Sequence, residues 1–283
     1  MQPAVSILIA NYNNGHYFRE AFESLLQQTC EDWEAIVIDD CSTDGSPQII
    51  ASLIKDDPRF RYYENPQNLG YQKTLLRAIA LSRTEIFGRL DPDDTLSPEA
   101  LRLSLEAHRR NPQAGLVYSD LRVCDEQLVL KWIHSSEVVN VLDQKYYNLN
   151  GEISPFSTFK KVIYEKTSGI DISIRRAEDK DIYMKMCEVA PVVYLPAILY
   201  NYRHLSTGLS TGQNEFTAFF WHWAALVKMM DRRHVNLEDV FLEHIGKRSD
   251  LNEMIRQRNM QIRCFENNLL GRFIAVLIGR KFN

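Results

Sequence analysis

The chain has 283 residues, of which 45% are hydrophobic and 25% are charged, which is enough apolar material for one large globular domain with an appendage. Its formal net charge of −4 gives no support for nucleic-acid binding, although residues 216–283 are basic and the remainder is acidic. The five cysteines form no C-x-x-C pair, which argues against a zinc site and favours reduced thiols inside the cell.

The amino terminus and the hydropathy pattern bear on where the protein works. Met1-Gln2-Pro3-Ala4 runs directly into an apolar segment and lacks the charged and apolar regions of a signal peptide. No apolar stretch approaches the ~20 residues that span a bilayer. A cytoplasmic protein is therefore expected.

The first half alternates short apolar runs with segments of helical periodicity. We predict strands at 5–10, 35–38, 60–63 and 86–90, and helices at 18–26, 47–53, 75–81 and 99–110. Repeated β-α-β units with short loops predict an α/β fold with a mainly parallel sheet covered by helices.

The second half is more mixed. Strands are predicted at 116–118, 128–133 and 192–195, and a helix at 179–188, whereas 135–160 receives no assignment. Beyond 215 the pattern is helical at 216–230 and 237–265, and 269–281 is apolar with basic residues. The predicted organisation is a domain over 1–215, with halves at about 1–115 and 116–215, and a helical extension over 216–283.

Two acidic clusters follow predicted strands. Asp39-Asp40 ends the second strand, and Asp91-Pro92-Asp93-Asp94 follows the fourth. In open α/β sheets ligands bind beyond the carboxyl ends of the strands, so both clusters are expected at one ligand-binding edge.

The second cluster is suited to a divalent cation. Two carboxylates on a short turn can hold Mg²⁺ or Mn²⁺ against a diphosphate, because both ions prefer oxygen ligands and bridge phosphates. The alternative is a solvated acidic turn that caps the helix after Pro98. Asp40 has a similar pair of interpretations: a hydrogen-bond acceptor for a nucleoside, or a polar strand end that caps the loop at Ser42 and Thr43.

Four motifs in order resemble the large family 2 of nucleotide-sugar glycosyltransferases, which have the GT-A fold and invert the anomeric centre. The motifs are Val5-Ser6-Ile7-Leu8-Ile9-Ala10-Asn11-Tyr12-Asn13, Gln27-Gln28-Thr29 with Trp33 to Gly45, Asn68-Leu69-Gly70, and Arg89-Leu90-Asp91-Pro92-Asp93-Asp94. The resemblance covers about residues 3–210 and leaves the tail outside.

The resemblance implies roles on the donor side. Ala10, Asn11 and Tyr12 would line the nucleotide pocket, and Asp40 would hydrogen-bond the base, which in most relatives is uracil. Lys73 follows the Asn-Leu-Gly turn and would approach a phosphate or the base, with a solvated helix lysine as the alternative.

The same resemblance implies a metal site. Asp93 would be the main ligand of Mn²⁺ or Mg²⁺, and Asp91 would meet the ribose or the metal shell, with Asp94 a less defined neighbour. Tyr202-Arg203-His204 resembles a late family run, in which Arg203 would contact the diphosphate and His204 would complete the metal shell. A structural histidine is the alternative for His204.

The acceptor side would come from the second half. Glu178-Asp179-Lys180-Asp181 resembles the family's E-D motif, and Asp179 matches the base that removes the proton from the acceptor hydroxyl. Carboxylates that favour the helix dipole in the first turn are the alternative. The chain has no Q-x-x-R-W motif, so a processive synthase is not expected.

The resemblance implies sugar transfer from a nucleotide diphosphate sugar, such as a UDP-sugar, to a glycan or lipid-linked acceptor of a surface polysaccharide. Two alternatives remain: a nucleotide-sugar sensor without transfer, and a nucleotidyltransferase, which normally has a Gly-rich basic loop that Asn11 to Gly15 lacks. The tail at 269–281 could lie on an anionic membrane surface or pack on the body or a partner subunit, as in a homodimer.

Overall fold

The computed structural model describes residues 2–139, 146–148, 151–206, 208, 210–211, 214–242, 253, 256–258 and 260. The chain divides into two compact units, Met1–Met229 and Met230–Asn283. The predicted division after residue 215 and the two predicted halves remain predictions.

The first half of the chain forms a parallel β-α-β array. Its strands are β1 Val5–Asn11, β2 Trp33–Asp39, β3 Phe60–Glu64 and β4 Ile86–Arg89, and its helices are α1 Phe18–Leu26, α2 Ser46–Ile54 and α3 Tyr71–Leu81. All seven residues of β1 and of β2 are buried, as expected for central strands of a sheet covered on both faces. Strand β1 pairs in parallel with both β2 and β4, and β2 pairs in parallel with β3.

The second half extends this sheet with mixed pairing. It contains β5 Thr95–Leu96, α4 Ala100–Arg110, β6 Leu116–Cys124, β7 Leu130–His134, β8 Thr158–Lys160, α5 Lys161–Tyr164, α6 Glu178–Val189 and β9 Val192–Arg203. Strand β6 is parallel to β9, whereas β8 is antiparallel to both β4 and β6. The path through the sheet is β3-β2-β1-β4-β8-β6-β9-β5, with β7 paired to β6. The α/β prediction is therefore confirmed, with antiparallel pairs at β5, β7 and β8.

One continuous core lies under this sheet. Phe18 and Leu25 of α1 pack with Ile7, Ile9 and Trp33 of the adjacent strands, and all five are nearly inaccessible to solvent. Each apolar side chain of this size contributes about 1.5–3 kcal/mol when it leaves water. The core therefore fixes the strand ends on which the site is built.

The carboxyl-terminal helices are α7 Glu215–Arg233 and α8 Leu237–Phe241. The helix predicted at 216–230 is confirmed, and most of the segments predicted at 237–265 and 269–281 lie outside the described residues. Within the described part of the chain, no helix combines the length and apolar character needed to cross a bilayer.

Candidate active site

Polar residues converge at the carboxyl edge of the parallel strands. Asn11 ends β1 and pairs in register with Asp39 at the end of β2, while Asp91 follows β4 by two residues. Because β1, β2 and β4 run in parallel, these ends lie at the same edge of the sheet. The predicted meeting of the two acidic clusters at one edge is thus confirmed by the topology.

Asn11 and Asp39 form a buried pair under the loop after β2. The Asn11 amide donates to Asp39 Oδ1 over 2.7 Å, and the Ser42 hydroxyl donates to the same oxygen over 2.6 Å. The Asn11 carbonyl oxygen Oδ1 is buried without a hydrogen-bond partner within the described residues. A buried acceptor of this kind is costly unless a donor meets it, and a nucleoside N–H or hydroxyl has that chemistry.

Asp40 organises the turn that precedes α3. Its carboxylate accepts hydrogen bonds from the backbone N–H groups of Leu69 and Gly70, both over 2.8 Å, and from the Asn65 amide over 2.6 Å. Gly70 has φ +87°, a conformation that a side chain would strain. These bonds from described residues use most of the lone pairs of Asp40 and leave one acceptor position on Oδ2, so its predicted contact with a base remains a prediction.

The other predicted donor-side residues differ in exposure. Ala10 is buried within β1, Tyr12 directly after it has 48% of its surface exposed, and Lys73 is exposed on the first turn of α3. Their predicted contacts with the nucleotide remain predictions.

The three aspartates of the acidic turn have different surroundings. Asp94 is fully buried, where Oδ1 accepts the backbone N–H of Arg203 and Oδ2 accepts the Tyr200 hydroxyl, each over 2.7 Å. Asp94 therefore fastens the turn to β9. Asp91 and Asp93 are only partly buried and present carboxylates at the edge.

The electrostatics of Asp93 suit a bound cation. Burial, and then the charge of Asp91, raise the pKa of Asp93 to about 6. Two like charges in a partly desolvated site are stabilised by a divalent cation, which can take one or two carboxylates and complete its shell with phosphate oxygens and water. Within the described residues no three His, Cys, Asp or Glu side chains form a preformed metal site, and the predicted metal contacts of Asp91 and Asp93 remain predictions.

Arg203 and His204 stand beside the turn at the end of β9. The Arg203 guanidinium is buried over the Tyr17 ring, and its Nε donates to the backbone carbonyl of Asp93 over 2.7 Å. It also donates to the Glu126 carbonyl. The His204 ring packs against Trp132 at 6.1 Å between centroids. Arg203 thus holds the backbone of the acidic turn in place. The predicted contacts of Arg203 with the diphosphate and of His204 with the metal remain predictions.

The predicted base lies at the start of α6. Asp179 is the second residue of that helix, its side chain is 30% exposed, and its Oδ1 accepts the backbone N–H of Lys180 over 2.8 Å. The preceding Ala177 adopts φ +60°, which ends the incoming loop abruptly and starts the helix at Glu178. Asp179 is therefore accessible at a helix start, as its predicted role requires.

Arg89, to which the sequence assigned no role, pairs with acidic side chains of both the acidic turn and the start of α6. Its Nη1 lies 3.1 Å from Glu178 Oε1, and its Nη2 lies 3.5 Å from Asp91 Oδ2 and 4.0 Å from Asp179 Oδ2. The Tyr71 hydroxyl donates to the other oxygen of Asp91 over 2.7 Å. One guanidinium thus holds carboxylates that lie almost ninety positions apart in the chain.

Burial changes the pKa of Glu178, one of the carboxylates that pair with Arg89. Burial, and then the charge of Asp179, raise the pKa of Glu178 to about 7 despite the opposing Arg89. Behind these groups lies a cavity of ≈ 40 Å³ whose walls are mainly apolar, with Leu75, Phe87 and Tyr183 among them. This apolar wall explains why the carboxylates are poorly solvated.

This arrangement agrees with the sequence of the chain. Residues 6–168, more than half of the chain, match the sequence model described as glycosyl transferase family 2. The chain belongs to this family. Within the matched region lie Asp40, Asp91 and Asp93 of the glycosyltransferase, whereas Asp179 and Arg203 follow it.

The comparisons also include a relative and two solved structures. Chondroitin synthase of Escherichia coli is 31% identical over 204 residues, which cover 70% of this chain and 29% of that enzyme. The glycosyltransferase therefore spans less than a third of this curated relative.

Staphylococcus aureus TarS 1–349 in complex with UDP-GlcNAc aligns with a TM-score of 0.58 and 17% identity over 85% of this chain and 73% of that chain. The mannosyltransferase PcManGT from Pyrobaculum calidifontis, in complex with GDP-Man and Mn²⁺, aligns with a TM-score of 0.57 and 15% identity over 99% and 89% of the two chains. Both similarities confirm the GT-A-like fold.

Proposed function

We propose that this glycosyltransferase moves a sugar from a UDP-sugar to a hydroxyl of a glycan or lipid-linked acceptor, with inversion, in the synthesis of a surface polysaccharide. One observation carries the proposal: Arg89 brings Asp91 of the acidic turn to the same place as Asp179. A donor site and an acceptor base must lie this close if the acceptor oxygen is to reach the anomeric carbon. The solved neighbour with UDP-GlcNAc and the similarity to chondroitin synthase support the donor and acceptor classes.

The donor would lie along the carboxyl edge of the sheet. Asn11 and Asp40 offer acceptors to the nucleoside, and Asp91 and Asp93 would hold Mn²⁺ or Mg²⁺ against the diphosphate. When bound, the cation supplies a positive charge that stabilises the departing diphosphate. Arg203 keeps the backbone of Asp93 in place through its Nε bond.

Transfer would occur in one displacement. Asp179 accepts the proton of the acceptor hydroxyl, the oxygen forms its bond to the anomeric carbon, and the bond from that carbon to the diphosphate oxygen breaks on the opposite face. The electron pair of the broken bond leaves with the nucleoside diphosphate, so the anomeric centre is inverted.

The first experiment tests donor binding by thermal shift with UDP, UDP-sugars and GDP-mannose, each with Mn²⁺, Mg²⁺ or EDTA. A ligand at about 100 times its Kd stabilises the folded state by about 2.7 kcal/mol, which corresponds to roughly 5–10 °C for a chain of this size. We expect this shift with UDP or a UDP-sugar, and its loss with EDTA or in Asp93→Asn. The matched control Asp56→Asn, at an exposed turn, should keep the shift.

A second arm of the same experiment separates transfer from binding. Asp179→Asn should retain the donor shift while sugar transfer falls about 10²–10⁴-fold, because loss of a general base has that magnitude. Transfer by Asp179→Asn at the wild-type rate would show that the base is another group. Donor binding by the wild type without transfer to any acceptor would favour the sensor, and consumption of a nucleoside triphosphate with a sugar phosphate would favour the nucleotidyltransferase.

A further inference from the structure

Tyr71 lies where two parts of the candidate donor site meet. It is the first residue of α3, its side chain is partly buried, and its hydroxyl donates to Asp91 Oδ1 over 2.7 Å. The preceding Gly70 donates its backbone N–H to Asp40 over 2.8 Å. Two adjacent residues thus contact the carboxylate proposed to meet the nucleoside and a carboxylate proposed to meet the metal.

The start of α3 is fixed from the side of Asp40. The Asn65 amide donates to Asp40 over 2.6 Å and to the Thr74 hydroxyl over 2.9 Å, so it ties that carboxylate to the first turn of the helix. Together with the bond from Gly70, this network holds the helix start at two points. Buried polar networks with satisfied members are rigid, so the backbone of Tyr71 is held close to the acidic turn.

The backbone of Asp91 is held by a different residue. The Tyr200 hydroxyl accepts the backbone N–H of Asp91 over 3.2 Å and donates to Asp94 Oδ2 over 2.7 Å. These bonds fix the turn but leave the direction of the Asp91 side chain undetermined. Among the described residues, Tyr71 and Arg89 contact the Asp91 carboxylate, each at one oxygen.

These two partners act differently on the charge of Asp91. The Arg89 guanidinium lies 3.5 Å from Asp91 Oδ2, and its positive charge opposes a cation bound at the same carboxylate. The Tyr71 hydroxyl is neutral and makes the shorter contact. A hydrogen bond of this length to an ionised acceptor is strong and directional. Tyr71 can therefore orient the carboxylate without adding a positive charge that would repel a cation.

We propose that Tyr71 is a positioning residue that directs the Asp91 carboxylate toward the metal ion of the bound donor and links its position to the loop held by Asp40. This inference rests on the proposed function. Hydrogen-bond partners of metal-ligating carboxylates orient the ligand, and their removal typically weakens metal binding or activity about 10–100-fold. The hydroxyl acts through Asp91 and needs no contact of its own with the metal or the donor.

The test uses the full chain and Tyr71→Phe, which removes the hydroxyl and keeps the ring over which Arg89 lies. Mn²⁺ is titrated at one fixed, saturating concentration of UDP, and the apparent Kd for Mn²⁺ is taken from the rise in melting temperature. Uridine, which has no phosphate for the metal, is titrated in EDTA by ligand-observed NMR. We expect Tyr71→Phe to raise the apparent Kd for Mn²⁺ about tenfold and to change the uridine Kd less than twofold.

A double-variant cycle shows whether the hydroxyl acts through Asp91. Asp91→Ala removes the carboxylate and should weaken Mn²⁺ binding by itself. In that background, Tyr71→Phe should raise the apparent Kd for Mn²⁺ less than twofold, because no carboxylate is left to position. An equal effect of Tyr71→Phe in both backgrounds overturns the inference.

Tyr194→Phe is the matched control, because the Tyr194 hydroxyl also donates to an aspartate, Asp120 Oδ1, over 2.8 Å between β9 and β6. It should leave the apparent Kd for Mn²⁺ unchanged, and a loss as large as that of Tyr71→Phe overturns the inference. An unchanged Mn²⁺ affinity in Tyr71→Phe also overturns it, as do equal losses of Mn²⁺ and uridine affinity, which would indicate a general effect on the fold.

The wild type separates this inference from the proposed function. A wild type that binds UDP equally well with Mn²⁺ and with EDTA overturns the role of Tyr71 and leaves UDP as the donor nucleotide. A wild type that binds neither UDP with Mn²⁺ nor uridine overturns the proposed function, and the inference with it.

Discussion

Arg89 is the residue on which the donor and acceptor sides depend together. It faces Asp91, Glu178 and Asp179, and no other described cation is paired with any of the three. Because like charges in a poorly solvated site repel, removal of the guanidinium should displace the Asp179 carboxylate. We expect Arg89→Met to lower kcat about 100-fold or more and also to raise the donor Kd, because Asp91 loses the same partner. Arg89→Lys should restore part of kcat, since an ammonium can satisfy some of the carboxylates.

A matched substitution controls for stability. Arg61 forms a similar pair with Glu34 at 3.0 Å, with 17% and 5% of the two side chains exposed, on the far strand β3. Breaking a buried pair by removing one partner costs about 3–5 kcal/mol, so both Arg89→Met and Arg61→Met should lower the melting temperature. Only Arg89→Met should lower kcat per folded molecule. Equal kcat losses in the two variants would reduce Arg89 to a structural residue.

The role of Arg89 was not readable from the chain because its partners are distant in sequence. Asp91 lies within its own motif, whereas Glu178 and Asp179 reach it only through α6 and the folded sheet. The acidic turn was predictable because strand ends and carboxylates lie within a few residues of each other. Local patterns thus predicted the positions of charges but not which cation compensates them.

At the scale of the elements, strands that are buried on both faces could be predicted from the sequence, whereas very short strands could not. Strands β1 and β2 read as continuous apolar runs and were predicted, whereas β5 and β8 have only two and three residues and carry no pattern. The strand predicted at 192–195 continues to Arg203, because the ladder with β6 shifts register after Leu195 and passes over Pro196. Proline lacks a backbone donor, so the sequence suggested an end where the structure has a bulge.

The contact between α4 and β8 predicts a pH dependence of stability. His108 of α4 is buried with its Nε2 3.0 Å from the Thr158 hydroxyl, and burial lowers its pKa from 6.5 to about 4, with Lys160 adding to the effect. The folded state therefore holds His108 neutral, while the unfolded chain takes up a proton below pH 6.5. Its contribution to stability is complete above that pH and is lost as pH falls towards 4.

Between pH 7.5 and 4.5 this loss amounts to about 2–3 kcal/mol, at 1.36 kcal/mol per pKa unit. The free energy of unfolding is measured by urea denaturation across this pH range for the wild type and for His108→Gln. It should fall more steeply with decreasing pH in the wild type, since glutamine retains a hydrogen-bonding group but does not titrate. Parallel curves for the two proteins would mean that other groups carry the acid sensitivity.

At the scale of the whole molecule, the candidate site belongs to the first compact unit. Among the residues that the structure describes, all nine strands, the core around Phe18 and every residue assigned a role in transfer precede residue 205. The predicted extension over 216–283 therefore follows, in the sequence, all the residues to which a role in transfer is assigned. Its predicted contacts with a membrane surface or a second subunit concern residues outside those described.

A truncation tests whether the first unit is sufficient for donor binding. A chain that ends after Arg233, where α7 ends, keeps that helix intact together with its buried Leu226 and Met229. Because the sheet, the core and the acidic edge are all retained, it should unfold cooperatively and bind UDP with Mn²⁺ at a Kd within about threefold of the full chain, a difference below 1 kcal/mol. Calorimetry and donor titration measure both quantities. Cooperative unfolding with lost donor binding would show that residues after 233 take part in the donor site, whereas loss of cooperative unfolding would show that they are needed for the fold itself.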